Sequence, residues 1–431
     1  MHTSPIRPAL AQQSWRLLLG VLTAAALGLP LPVWSALTIP SDGSDGALSI
    51  TADTTIDLSQ AVAGQWDASN AAHAGKGIYD ATKWAVVFKY TDVTIAAGAT
   101  VTFTNHPGRA PVVWLISGNA TIAGTVNLKG GNWVAAPALA EPGPGGFRGG
   151  MAYFTPGVTG GAGFGPGGGG TAVVGQGGSH GAVGSGAGAG PLYGNPSLIP
   201  LLGGSGGGGD TDTSGQSGAA GGGAILVACT GTLSITGTIT ANGGNSAPTG
   251  YNSAGGSGSG GGIRLVAGTL TGNGVIQAVG GSVGNPGGLG RIRIERVANA
   301  GNPQVVPDPS VVALADGSTP ILWPPADGPQ VRIVSIGGEA VPADPRASFG
   351  SAGADATIAQ VSTTPVIVET THVEEAAQVF VRVTPRANAN YTRTQASSHE
   401  VIGTDPLVIR WTASVPVQAG YSAMQVHVIR P

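Results

Sequence analysis

The sequence predicts an all-β protein: a parallel β-helix, or solenoid, interrupted by a glycine-rich insertion and followed by an immunoglobulin-like β-sandwich. Three observations predict it. Glycine supplies 76 of the 431 residues, about 18% against the roughly 7% of ordinary proteins, and each interior glycine costs a helix about 1 kcal/mol relative to alanine. The hydrophobic share is nevertheless 41% and the charged share 10%, too apolar for a disordered polar chain. Short β-branched runs recur with glycine at constant offsets, the mark of units that stack on one another. The glycines follow no Gly-X-Y period, which excludes collagen.

Residues 1–35 read as a secretory signal peptide. Arg7 and Arg16 precede the apolar stretch Leu17–Pro32, and Val33 and Ser35 occupy the small-residue positions of a cleavage site before Ala36. That stretch, about 16 residues, falls short of the ~20 a membrane-spanning helix needs, so cleavage is expected rather than anchoring, and no later segment is apolar enough to span. The protein is therefore expected outside the cell, at its surface or in the periplasm. Losing the two arginines from the 19 basic residues leaves 17 against 22 acidic ones, a net charge of −5. No basic face for nucleic acid or anionic membrane is expected. The single cysteine, Cys229, lies in the apolar run AILVACT and reads as a small core residue.

Residues 36–104 supply the N-terminal cap and first coils. GALSI from Gly46, TTIDLS from Thr54, WAVVFKY from Trp84, VTI from Val93 and ATVTFT from Ala99 have strand character. The alanine-rich stretch Gln60–Tyr79 is expected to form a short capping helix, because an open solenoid end exposes its last core layer.

Residues 105–298 form the β-helix. Gly118–Asn132, Gly231–Asn245 and Gly268–Ser282 align without a gap, with glycine at positions 1, 7, 13 and 14 of each, and each follows an apolar run: PVVWLIS, AILVACT or IRLVA. RIRIERV from Arg291 is a fourth such run. Leu233 and Ile235 fall on one strand face by period-two alternation. Three short strands in about 21 residues make one coil, with glycine expected at positive-φ corners. A sandwich of similar hairpins is the alternative; recurrence as triplets favours the solenoid.

The insertion, residues 132–221, is rich in glycine but also holds Phe147, Tyr153, Phe154, Phe164 and Tyr193. Those side chains need somewhere to pack, so a compact excursion on the solenoid flank is expected rather than a free linker. Residues 299–328 read as a proline-rich linker. Residues 329–431 carry alternating strands at QVRIVSI, PVIVETTHV, QVFVRVTP, LVIRWTAS and SAMQVHVI, the pattern of an antiparallel sandwich.

With its strand–glycine–strand coils and the strings GPGGFRGG and LIPLLGGSGGGG, residues 36–300 resemble secreted bacterial glycine-rich proteins of the right-handed parallel β-helix type. That broad group includes pectin-lyase-like enzymes and filamentous adhesins. The resemblance implies the fold and is silent on activity. The acidic calcium ligands and basic catalytic residue usual in pectin-lyase-like enzymes find no residue-by-residue match here.

The sequence offers few groups for chemistry. From Gly149 through Ile263 the carboxylates are Asp210 and Asp212 alone, with no lysine or arginine; the pair is a weak metal candidate in a turn-like context. Asp42 and Asp45 in SDGSDG lack the spacing of an EF-hand. His106, Arg109, Lys129, Glu141 and Arg148 would meet at one corner if the coils stack in register, and a cation beside a carboxylate suits acid–base work on an acidic sugar. Trp133, Phe147, Tyr153, Phe154 and Tyr193 are the candidate carbohydrate contacts, through the apolar faces of sugar rings. The expected function is an exported, non-catalytic β-solenoid in surface adhesion, extracellular matrix structure or carbohydrate binding, with polysaccharide or surface matrix as partner and no cofactor. The alternative is a polysaccharide lyase or glycoside hydrolase using the His106–Arg148 corner.

Overall fold

The computed structural model describes residues 37–213, 215–247, 254–345, 354–359 and 362–431, and the chain is all-β with curled parallel sheets. The signal-peptide expectation for residues 1–35 lies outside the described residues. Helix among them is limited to two 3-10 turns, Leu58–Gln60 and Ala71–His73, and no helix there is long and apolar enough to cross a membrane. The alanine-rich stretch expected to form a capping helix holds the second turn, the short strand Val62–Ala63 and irregular chain. Asn70 fixes it by donating from Nδ2 to Asp45 Oδ1 at 2.6 Å.

The gapless alignment of the three glycine-marked segments is the hydrogen-bond register of the sheets. Thr125, Thr238 and Val275, each at position 8 of its segment, pair side by side in a 6-stranded parallel sheet. Ala120, Leu233 and Leu270, each at position 3, do so in an 11-stranded sheet. That larger sheet is parallel except where Ile78–Asp80 pairs antiparallel with Ala85–Tyr90. The strands Gln304–Val306 and Ser310–Ala313, inside the proline-rich stretch, extend the two sheets by one strand each.

Alternation assigns the side chains of the larger sheet to two buried faces. Val86, Val112, Ile225, Ile263 and Ile292 stand in one cross-strand row and belong to the main core, which also holds Cys229. The next row, Val87, Val113 and Leu226, faces the opposite way into a second cluster with Leu37 and Leu322. In that outer row Arg264 is buried, bonded from Nε to Glu295 at 2.9 Å and from Nη2 to the Ile321 carbonyl at 2.6 Å. The guanidinium thereby fastens the segment after Ala313 across the sheet.

The glycines of the repeat act through close approach rather than through positive φ. None of the glycines at positions 1, 7, 13 and 14 has positive φ. A Cβ on Gly237 would meet the carbonyl oxygen of Gly124, one on Gly274 that of Gly237, and one on Gly281 that of Gly244. Each layer therefore rests its glycine on the glycine of the layer before, and any side chain would push the layers apart. The expectation of positive-φ corners at these positions is corrected accordingly.

At the corner after each repeat the chain enters a glycine body whose hydrogen bonds rotate with a period of three. Along Gly256–Gly261, the N–H groups of Gly256 and Ser259 donate to Gly208 and Ser205. Those of Ser257 and Gly260 donate to Asn285 and Gly288, and those of Gly258 and Gly261 to Gly244 and Ala241. The same rotation holds along Ser217–Gly223, where Ser217, Ala220 and Gly223 donate to Val134, Gly131 and Leu128. Three residues per turn, with every bond made to a neighbouring chain, is the arrangement of polyproline II helices packed side by side. Glycine is required because the chains touch: a Cβ on Gly258 would meet the Ala220 carbonyl oxygen, and one on Gly218 that of Gly207. The body draws chains from residues 128–150, 160–179, 203–223, 241–247, 254–262 and 279–291, so it is not confined to the insertion.

Beyond Gly328 the strands are antiparallel. Glu339–Ala340, Gln330–Ile336, Thr363–Thr371, Leu407–Pro416 and Ser398–Thr404 form a 5-stranded sheet, and Thr392–Gln395, Gln378–Pro385 and Ser422–Ile429 a 3-stranded one. The two share one hydrophobic cluster that includes Val368, Val381 and Trp411. Residues Ala36–Pro431 form a single compact unit. Buried Arg382, from the 3-stranded sheet, donates Nη2 to Gly168 O at 2.9 Å and Gly163 O at 3.3 Å in the glycine body.

Candidate functional site

The corner expected from the sequence is partly assembled. Asn105 to Arg109 makes a tight turn in which Arg109 N donates to His106 O at 2.8 Å and Gly108 N donates to His106 Nδ1 at 3.0 Å. Arg109 has φ +53°, and Trp84 beside it has φ +46° with its indole N–H donating to Gly108 O at 2.8 Å. Non-glycine residues in this region are strained and concentrate at ligand sites. Arg109 Nη1 reaches Glu141 Oε2 at 2.5 Å, and Arg148 Nη2 reaches Glu141 Oε1 at 2.6 Å. One carboxylate thus holds two guanidinium groups.

The electrostatics follow from that clamp. Burial pushes the Glu141 carboxyl upward, but hydrogen bonds and charge from Arg148 and Arg109 outweigh it and hold it below its ordinary 4.5. Glu141 is therefore ionised at neutral pH and has no proton to donate as a general acid. Burial lowers Arg109 from its ordinary value, assisted by Arg148 and opposed by Glu141.

His106 belongs to the turn that ends at Arg109, and Lys129 stands two residues before Gly131, whose N–H donates to Glu141 O at 2.8 Å. His106 is buried and stacks on Tyr79 with ring centroids 3.9 Å apart. Tyr79 in turn donates to Asp344 at 2.7 Å. Lys129 is exposed just past Thr125–Asn127 and forms no ion pair among the described residues.

The five candidate aromatics are not brought onto one surface. Tyr193 is buried, stacked on His180 at 4.7 Å and donating to Gly203 O at 2.5 Å. Trp133 and Tyr153 are half-buried, Phe154 is 48% exposed in the Thr155–Val158 turn, and Phe147 is half-buried against Gly165. Asp210 is buried, accepting from Gln216 N at 3.0 Å and Tyr153 N at 3.3 Å, which ties its carboxylate to the backbone. Asp212 is half-buried. No group of three or more metal-binding side chains occurs among the described residues. Asp45, beside Asp42 in SDGSDG, accepts from Gly75 N and Lys89 N as well as Asn70, while Asp42 pairs with Lys89.

A cleft of about 1500 Å³ opens between this corner and the antiparallel sheets. Trp84, Arg109, Phe147 and Arg148 line one wall; Arg332, Glu369, Arg410 and Tyr421 are among the residues of the other. The second wall repeats the clamp: Glu369 binds Arg332 at 2.6 Å and Arg410 at 2.7 Å, and those hydrogen bonds hold its carboxyl below the usual range. The sequence reading missed this wall. Arg332, Glu369 and Arg410 stand opposite one another on adjacent strands, Arg332 paired with Glu369 and Glu369 with Arg410, so only strand register could have disclosed it.

No protein-family model, curated protein or solved structure matches this chain.

Proposed function

We propose that the protein is an exported, non-catalytic scaffold. Its parallel sheets are read as the faces of a right-handed β-helix, and its C-terminal sheets as an immunoglobulin-like sandwich. Of adhesion, matrix structure and carbohydrate binding, the cleft favours carbohydrate binding. The observation that carries the reading is the pair of clamps beside the cleft: Glu141 and Glu369 are each held between two arginines in the charged form, which suits holding a ligand and leaves neither free as a general acid. The glycine body supports the scaffold role, since chains bonded to several neighbours form a stiff mount. Export rests on the composition of residues 1–35.

The test incubates the purified mature protein with soluble and insoluble polysaccharides. It follows both depletion of protein from solution and appearance of new sugar ends. Retention without release is the expected result. Sugar release abolished by Arg109→Ala or Arg148→Ala would replace this reading with a lyase or hydrolase.

A further inference from the structure

A second cavity, of about 250 Å³, lies on the outer face of the larger parallel sheet. One side of it is a cross-strand row, Val113, Leu226 and Arg264. The others are two apolar strings of the sequence: Leu198, Leu201 and Leu202 from LIPLL, and Leu322 and Trp323 from LWPP. Among the described residues that line it, the charged ones are Lys83 and Arg264, and none is acidic. Two of its donors are short of a partner. Trp323 Nε1 is buried with no hydrogen-bond partner, a state that buried polar atoms rarely keep. Arg264 makes four contacts, from Nε and Nη2 to Glu295, from Nη2 to Ile321 O and from Nη1 to Leu322 O. It has five N–H donors, so one Nη1 N–H is left over. Glu295 also binds Arg293 at 3.1 Å, so a single buried carboxylate faces two guanidinium groups and the three together keep one net positive charge. A buried net charge is costly until an opposite charge meets it.

We propose that this cavity binds a small apolar carboxylate, a short aliphatic or aromatic acid; the site does not depend on the carbohydrate reading of the cleft. The hydrocarbon body packs among the leucines, and the carboxylate accepts from Arg264 and the Trp323 indole while supplying the charge that Glu295 alone cannot. Charge-assisted bonds of this kind are about twice as strong as neutral ones. The volume limits the ligand's size. At ~30 Å³ per water it holds about eight waters, and it falls below the ~300–1,000 Å³ of pockets for drug-sized ligands, which suits an acid the size of hexanoate or benzoate. A plain hydrocarbon would leave the indole and guanidinium unpaired. An ammonium group would meet Arg264 and Lys83, and a sugar would set its hydroxyls against leucines that offer them no partner.

The experiment titrates the mature protein with hexanoate and benzoate, with hexanamide and benzamide as neutral counterparts and hexylamine as the cationic one. Calorimetry and tryptophan fluorescence follow it. At least one acid is expected to saturate a single site, with its amide about tenfold weaker or more. Arg264→Gln would also release the segment after Ala313, so two other variants carry the test. Leu201→Glu places a carboxylate in the wall and is expected to weaken the acid about tenfold or more, with circular dichroism checking the fold. Lys83→Ala loses no ion pair among the described residues; it is expected to weaken the acid about threefold and leave the amide unchanged. An amide or amine that binds as tightly as the acid would overturn the inference. So would acid binding that the folded Leu201→Glu protein retains in full, or that Lys83→Ala leaves untouched, and so would the absence of saturable binding by either acid.

Discussion

Replacing Gly258 by alanine tests the packing of the glycine body at its centre. Gly258 N donates to Gly244 O at 3.1 Å, and Gly258 O accepts from Gly281 N at 2.9 Å. An added Cβ would meet the carbonyl oxygen of Ala220 and lie 2.9 Å from Gly221 N. These are backbone atoms, so relief requires moving whole chains rather than turning a side chain. Forcing one methyl into a packed interior costs about 1–3 kcal/mol, and each buried backbone group left unpaired adds about 1–3 kcal/mol. With one or both bonds lost, the expected destabilisation is about 2–9 kcal/mol. The control is Gly64→Ala, where φ is not positive and the new Cβ meets only Ile78 Cγ2 at 3.5 Å; it should stay within about 0.5 kcal/mol of the parent. Denaturant unfolding followed by circular dichroism and tryptophan fluorescence measures both. Equal stability of the two variants would refute the argument that chain contact, rather than backbone freedom, selects glycine here.

Three further outcomes are expected. His180 is fully buried with Nδ1 bonded to Gly260 O at 2.9 Å, and burial lowers its pKa from 6.5 to about 4. The folded state then binds fewer protons than the unfolded one between those values, so stability falls on acidification from pH 6.5 to 4 by about 3 kcal/mol; His180→Asn should flatten that part of the pH–stability curve. Glu141 is held below its ordinary 4.5, so its contribution is present above that pH and is lost as pH falls through the folded value; Glu141→Gln should remove this component from acid titrations of stability. Arg382→Ala leaves the Gly163 and Gly168 carbonyls without their guanidinium partner, at about 1–3 kcal/mol each. Calorimetry of this variant should resolve a separate, earlier transition for the antiparallel sheets.

Much of the parallel region was legible because its repeat is in register. Gly118–Asn132, Gly231–Asn245 and Gly268–Ser282 align in sequence and stack in space at the same offsets. The ladder Asn132, Asn245, Ser282 shows how: Asn245 N donates to Asn132 Oδ1, and Ser282 N to Asn245 Oδ1, each at 2.9 Å. The five alternating runs after Gly328 were legible for the same local reason, period two within one strand. The role of the glycines was not, since a residue selected by contact looks the same in sequence as one selected by φ. The cleft was half legible. Arg109, Glu141 and Arg148 lie within 40 residues and share a Gly/Pro corner, whereas Arg332, Glu369 and Arg410 meet only through antiparallel pairing of three strands that are not consecutive in the chain. Composition equally could not place Tyr193, whose burial against His180 depends on chains far apart in sequence.

Hydrogen exchange of the backbone amides tests the central claim most directly, that the glycine-rich chains form a bonded, rigid body supporting the cleft. Residues 256–261 and 217–223 belong largely to no β-ladder, and the bonds described predict protection comparable to that of the strand Ala224–Ile235. Exchange of these amides as fast as that of the exposed Thr155–Val158 turn would contradict the account.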